Sequence, residues 1–253
     1  MGSDDMRLRA IVMGVTIGLL AATSALIADA QAPKRRLFYI GLALYSETWS
    51  QNDVVALADA LQRSSEFSVV PMIASNFTPA RQYPIADDAR IAALVRAAAT
   101  RAAPDDLMVV HISTHGAPGL LASRIGHQQT TAITARSLAQ RLAPLSGHET
   151  VVIVSACYSG SLIGALRAPD RIVIAAARAD RSSFGCAADA QHTFFGSAEL
   201  KAFAAPHRSL REVFNAMRLD VARMEQEQDY TPPSEPQVWV GSAVRSLYDA
   251  PVF

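Results

Sequence analysis

The sequence predicts an α/β domain, with a mostly parallel sheet covered by helices on both faces. Two observations predict it. Between residues 37 and 177, short apolar and β-branched runs alternate with longer amphipathic stretches, the pattern of successive strand-to-helix crossovers. The runs at 107–112 and 150–154 are apolar throughout rather than alternating, as in strands buried on both faces. A chain of 253 residues, 50% hydrophobic and 18% charged, supplies one sizeable core.

Residues 37–44 read as the first strand and 53–63 as a helix. Residues 67–73 read as a second strand, and Pro71, with no N–H to give a ladder, assigns its end to a sheet edge or a bend. After a loop at 76–84, Asp87 and Asp88 open a helix that runs to Thr100. Ile91, Leu94 and Val95 follow at helical spacing, with the acids near the helix's positive end. The third strand, 107–112, leads to a turn at Gly116 and a loop with Gly119 and Gly126. Thr134, whose hydroxyl can accept an orphan N–H, caps a helix over 134–142 that Pro144 and Gly147 end. Then come a strand at 150–154, a short helix at 160–167, a fifth strand at 172–177 and a long helix at 209–226. Pro232, Pro233 and Pro236 stiffen 229–237 before Val238-Trp239-Val240, which adds a final strand.

Residues 1–30 are set apart from the domain, which is taken as 31–253. Arg7 and Arg9 precede an apolar run, and Ala28-Asp29-Ala30 places small residues where a signal peptidase reads them. The expectation is a secretory signal cleaved after Ala30. A retained membrane anchor is the rival reading, because residues 10–28 are 19 uncharged residues and about 20 span a bilayer. Both readings place the domain outside the cytoplasm, periplasmic or extracellular, and only the second implies a membrane. Basic and acidic side chains number 23 each, so composition gives no electrostatic argument for a nucleic-acid partner. Two cysteines, Cys157 and Cys186, provide no disulfide framework, although one bridge is arithmetically possible. Cys186 reads as a buried, inert thiol.

In an open parallel sheet, ligands bind beyond the carboxyl ends of the strands. Two of those ends carry chemistry: Ser113-Thr114-His115-Gly116, and Ser155-Ala156-Cys157-Tyr158-Ser159-Gly160. If the strands are neighbours, His115 and Cys157 emerge at one edge. A free thiol is mostly protonated at neutral pH, so a nucleophilic Cys needs an adjacent imidazole to hold its proton. The N–H groups of Gly116 and Cys157 are candidates for an oxyanion hole. His111 and His115 are four apart, but that spacing ligates a metal from a helix and His111 lies in a strand. His111 therefore reads as packed, His192 as a loop residue near the site, His127, His148 and His207 as surface residues, and Asp180-Arg181 as an ion pair.

The stretches VVHISTHG and VVIVSACYSGS, in that order and each at a strand end, resemble the His-Gly and Ala-Cys motifs of caspase-fold cysteine peptidases. They are most similar to the legumain-type (asparaginyl endopeptidase-like) family, in the form of a bacterial exported member. The likeness continues into IAAARADRSSFGCAADAQHTFFG, which resembles the family's Ser-Ser-aromatic substrate loop. The resemblance implies a caspase-like three-layer αβα fold, no metal or organic cofactor, and a protein or peptide substrate. It also implies His115 as base, Gly116 as oxyanion donor, Cys157 as nucleophile, and Ser182 and Ser183 in the specificity pocket. Departures fall on that pocket. Ser155 and Ser197 stand where the family has acidic residues, and Tyr45-Ser46-Glu47-Thr48-Trp49 lacks the family's Arg and the Asn that assists the dyad. The functional expectation is an endopeptidase working through a Cys–His dyad and an acyl-enzyme. The alternatives are a transamidase of the same chemistry and a catalytically silent caspase-like binding protein.

Overall fold

Successive side chains of a strand point to opposite faces of its sheet, and in the computed structural model both faces are covered. The structure describes residues 34–63, 67–79, 82–205 and 209–251. The apolar run at 10–28, the expected cleavage point after Ala30, and His207 lie outside the described residues. Among the described residues, no helix is long and apolar enough to cross a membrane.

In chain order the elements are β1 (Arg35–Ala43), α1 (Thr48–Arg63), β2 (Phe67–Ser75), α2 (Asp88–Arg101), β3 (Leu107–Ser113), β4 (Gly116–Ala117), β5 (Leu120–Ser123), β6 (Thr131–Thr134), α3 (Ala135–Leu142), β7 (Thr150–Ser155), α4 (Ile163–Leu166), β8 (Arg171–Ala175), α5 (Phe194–Phe203), α6 (Leu210–Glu227), β9 (Gln237–Val240) and α7 (Arg245–Asp249). The main sheet has the order β2-β1-β3-β7-β8-β9, parallel except for β9, which pairs antiparallel with β8. Leu37, Tyr39, Leu107, Val109, Val151 and Ile153 pack toward α1, α5 and α6. Their neighbours Phe38, Ile40, Met108, Val110, Val152 and Val154 pack toward α2, α3 and α4. This is the expected three-layer arrangement.

β2 is an edge strand, which accommodates Pro71. Thr134 caps α3 by accepting from the Ser137 N–H at 3.1 Å. Ser209 and Glu212 form a reciprocal capping box at the start of α6. Three features depart from the sequence expectation. Helix α1 begins at Thr48 rather than 53, because Trp49 and Ser50 are fully buried and Ser50 Oγ donates to the Ser113 carbonyl at 2.6 Å. The expected loop after Gly116 is a small antiparallel sheet, β4-β5-β6. Its first turn passes through Gly119, whose φ of 73° favours glycine. Helix α5, capped by Thr193, and the short helix α7 are additional to the elements the sequence predicts.

One buried cluster has a proton arrangement fixed by its contacts. Tyr39 Oη donates to the Val54 carbonyl at 2.6 Å and lies 2.8 Å from His111 Nδ1, so Nδ1 carries the proton between them. His111 Nε2 is then a lone pair, and it faces Glu199 Oε2 at 3.4 Å with both side chains fully buried. A carboxylate facing that lone pair has no donor, so Glu199 holds the proton. Burial pushes the Glu199 carboxyl well above its ordinary range and the His111 imidazole down to about 3. Because the folded-state pKa of His111 is depressed, its contribution is complete above about 6.5 and is lost as pH falls toward 3. At pH 5 the loss is about 2 kcal/mol. The His111 loss is read by difference: in urea denaturation the protein should lose about 2 kcal/mol more between pH 7 and pH 5 than His111→Gln does, and an equal change in the two rejects the assignment. Glu199 acts with the opposite sign, its contribution fading as pH rises through its folded-state pKa.

Candidate active site

Strands β3 and β7 are adjacent and level, with Ser113 opposite Ser155. The Thr114 N–H extends the pairing by donating to the Ser155 carbonyl at 3.0 Å. His115 and Cys157 therefore each stand two residues beyond a pair of matched, buried strand ends. Gly116 is required by close approach: a Cβ there would lie 2.2 Å from the Cys157 carbonyl oxygen. After Cys157 the chain turns through Tyr158 at φ 56°. The turn is tied down by Tyr158 N–H to the Arg181 carbonyl and Gly160 N–H to the Ala177 carbonyl, each 2.8 Å. The half-buried Cys157 thiol lies 3.3 Å from both the N–H and the carbonyl of Ser183.

His115 is seated between two aromatic rings, edge-on to Tyr45 at 4.4 Å and to Trp49 at 5.0 Å. Its Nε2 lies 3.6 Å from Glu47 Oε2. The same Glu47 oxygen accepts from Trp49 Nε1 at 2.7 Å, and its other oxygen faces Arg124 at 3.4 Å. Arg124 also lies over the Tyr45 ring at 4.2 Å and donates to Ser46 Oγ at 3.0 Å. Burial lowers the His115 pKa; Glu47 opposes that shift and Arg124 adds to it.

Cys157 and His115 share one narrow cleft, about 10 Å³ in volume, with Trp49, Ser155, Ser183, Phe184, Cys186 and Thr193. At its floor, Ser155 Oγ and Thr193 Oγ1 are 3.2 Å apart. Behind them Asp53, fully buried, receives Thr193 Oγ1 at 2.8 Å, Ser113 Oγ at 3.1 Å and His192 Nδ1 at 3.0 Å. A larger hollow of about 750 Å³ lies elsewhere, between the loop after β2 and the β5–β6 hairpin. Phe77, Tyr83 and His127 line it, and neither cysteine does.

Of the residues singled out in the sequence, Cys157, His115, Ser155 and Ser183 are brought together in the cleft, and Gly116 packs on the Cys157 backbone. Ser182 is turned toward Tyr158, its Oγ 3.5 Å from the phenol oxygen. Ser197 lies in the first turn of α5, away from the cleft lining. Cys186 is half-buried and opens on the same cleft as Cys157, with its pKa raised by burial first and by Cys157 next. It is not the enclosed thiol expected. Asp180 and Arg181 do pair, at 3.1 Å. Glu47, Trp49, Asp53 and Thr193 were not anticipated. The signal for Glu47 was an acidic residue just past a strand end; the other three look like ordinary core or cap residues until the chain is folded. Among the described residues, no group of three or more His, Cys, Asp and Glu could hold a metal ion.

A six-stranded, mostly parallel sheet between helical layers, with Cys and His at adjacent strand ends, defines the caspase-like class. The structure of caspase-1 from Spodoptera frugiperda is similar to this one with a TM-score of 0.55 and 16% sequence identity, over 82% of this chain and 86% of that one. The model of the peptidase C13 family, the legumain family, matches residues 88–246, and the chain belongs to that family. It is a cysteine peptidase, a hydrolase acting on protein or peptide substrates. No curated protein sequence matches it. The family match begins at Asp88, so Glu47 and the start of α1 with Trp49 fall outside it.

Proposed function

We propose that the chain is an endopeptidase in which Cys157 is the nucleophile and His115 the general base, acting through an acyl-enzyme. The observation that carries this reading is that Cys157 and His115 reach one cleft from adjacent, level strand ends. With Nε2 turned to Glu47, Nδ1 is the nitrogen left for the thiol. His115 takes the thiol proton as sulfur attacks the scissile carbonyl carbon. The oxyanion forms beside the Gly116 and Cys157 N–H groups, each such donor being worth roughly 3 kcal/mol of barrier. Collapse expels the amine, which receives the proton from His115 and leaves a thioester on Cys157. Water, deprotonated by His115, then hydrolyses the thioester and restores the thiol. The test is labelling by a peptidyl electrophile: Cys157 is modified in the native protein and not in folded His115→Ala. Equal labelling of the two rejects the dyad.

Glu47 is a positioning residue in this scheme. It holds Nε2 and, as an anion, favours the imidazolium. Glu47→Gln keeps an acceptor for Trp49 and removes the charge. The expected outcome is a fall in kcat of about 3- to 10-fold. The acid limb of the kcat/KM profile should also move to lower pH, because losing a carboxylate lowers the imidazole pKa. An unmoved limb means that Glu47 acts on the fold alone.

A further inference from the structure

The chain has two cysteines, and both open on one cleft. Cys157 and Cys186 are free and half-buried, and the cleft they line is about 10 Å³ in volume, the least space that holds a single water. Groups around so small a space face each other across no more than one water.

The loop between β8 and α5 brings the second thiol to the first. Ser183 brackets Cys157 Sγ, its N–H and its carbonyl each 3.3 Å from the sulfur. Cys186 stands three residues further on; an extended span of that length reaches about 10 Å, and the chain shortens it by turning at Gly185, φ 83°. Only glycine fits there, because a Cβ would lie 2.6 Å from both the ring and the backbone nitrogen of Phe194. The Phe194 N–H donates to the Phe184 carbonyl at 3.1 Å and fixes the same turn against α5. Residues 176–193 lie outside any helix or strand, so drawing Cys186 inward breaks no ladder of backbone hydrogen bonds. Burial raises the Cys186 pKa and Cys157 raises it further, an influence one thiol exerts on another only at short range. Cys186 therefore stays a thiol near neutral pH.

We propose that Cys157 and Cys186 form a reversible disulfide when the protein meets a peroxide, with Cys157 as the sulfur oxidised first and Cys186 as the one that resolves it. The inference rests on the reading of Cys157 as the nucleophile, whose proton passes to His115. The Cys157 thiolate attacks one peroxide oxygen, the O–O bond breaks, and a sulfenic acid forms as hydroxide leaves and takes the proton from His115. The Cys186 sulfur then attacks the sulfenic sulfur. The S–O bond breaks, and the departing hydroxide leaves as water with the Cys186 proton. In sum, two thiols lose two electrons and two protons, and one peroxide becomes two waters. The bond requires Cβ atoms about 3.5–4.5 Å apart, a separation that the short span from Ser183 to Cys186 permits. While it stands, Cys157 cannot attack a peptide carbonyl and cannot pass on to sulfinic acid, which is not restored by thiols.

The test exposes the native protein to equimolar hydrogen peroxide at neutral pH, beside Cys186→Ser and Cys186→Ala, and reads both sulfurs by mass spectrometry. The expected product of the native protein is a pair of peptides joined through Cys157 and Cys186, lighter by two hydrogens, from which dithiothreitol restores free Cys157. In the variants Cys157 should run on to sulfinic acid, and the fraction that dithiothreitol restores should fall by about threefold or more. Equal restoration in the folded variants overturns the role of Cys186. Sulfinic acid at Cys157 of the native protein with no joined pair, or a disulfide only between two chains, overturns the proposal without reference to any variant. A peptidyl electrophile applied to a sample kept from peroxide separates the disulfide from the reading it rests on. If Cys157 is alkylated there and peroxide yields no joined pair, the nucleophile stands and the disulfide fails. If the joined pair forms and Cys157 is not alkylated, the disulfide stands and the nucleophile fails.

Discussion

Cys157→Ala is expected to abolish peptide hydrolysis, and His115→Ala to lower kcat/KM by about 10³- to 10⁴-fold, with both proteins folded. The size follows from the chemistry. Without sulfur no acyl-enzyme forms, and residual turnover comes only from binding and the oxyanion donors. Without the imidazole the thiol remains largely protonated near neutral pH, and the departing amine receives no proton. Both side chains are partly exposed at the cleft, so their truncation leaves no enclosed cavity, and surface truncations shift stability by less than about 0.5 kcal/mol. The measurement is kcat/KM beside the urea unfolding midpoint. A His115→Ala protein with native midpoint and activity within tenfold of wild type removes His115 from the mechanism.

Asp53→Ala is expected to destabilise the domain by about 3–5 kcal/mol, the scale for deleting one partner of a buried charged network. The carboxylate ties α1 to the cap of α5 and to the end of β3, through Thr193, His192 and Ser113. Removing it takes the acceptor from four donors, three of them buried and only His192 partly exposed. Gly196 packs directly on it, a Cβ there falling 2.2 Å from Asp53 Oδ1, so the void has little prospect of being refilled by α5. Asp53→Asn, which keeps the shape and one acceptor, should cost about 1–2 kcal/mol. Chemical denaturation of the three proteins checks both figures. An Asp53→Ala midpoint within 0.5 kcal/mol of wild type means that the network is not structural.

The proposed pair, Cys157 and His115, is readable because each member lies in an unbroken local segment, a buried strand running straight into its motif. The remainder of the site was not. Glu47 meets His115, and Asp53 meets Thr193 across 140 residues of sequence; no local periodicity marks such a pair. The apolar strands were legible for the same reason as the catalytic motifs, while β4, β5 and β6 were hidden by brevity and by turn glycines. Helix α5 was missed because Thr193-Phe194-Phe195-Gly196 reads as loop until Asp53 is placed against it.

The sequence by itself determined the layered α/β fold and the two residues at the strand ends, because hydrophobic burial and the positions just after buried strands are properties of short, contiguous stretches. Only the tertiary structure decided that His115 is held by Glu47 between two aromatic rings, that Cys186 opens on the cleft, and that the expected pocket residues divide, with Ser155 and Ser183 inside and Ser182 and Ser197 outside. The physical reason is that side-chain direction and hydrogen-bond partnership at a site are set by non-local packing. The Thr193 proton has a direction only once α1 brings Asp53 beneath it.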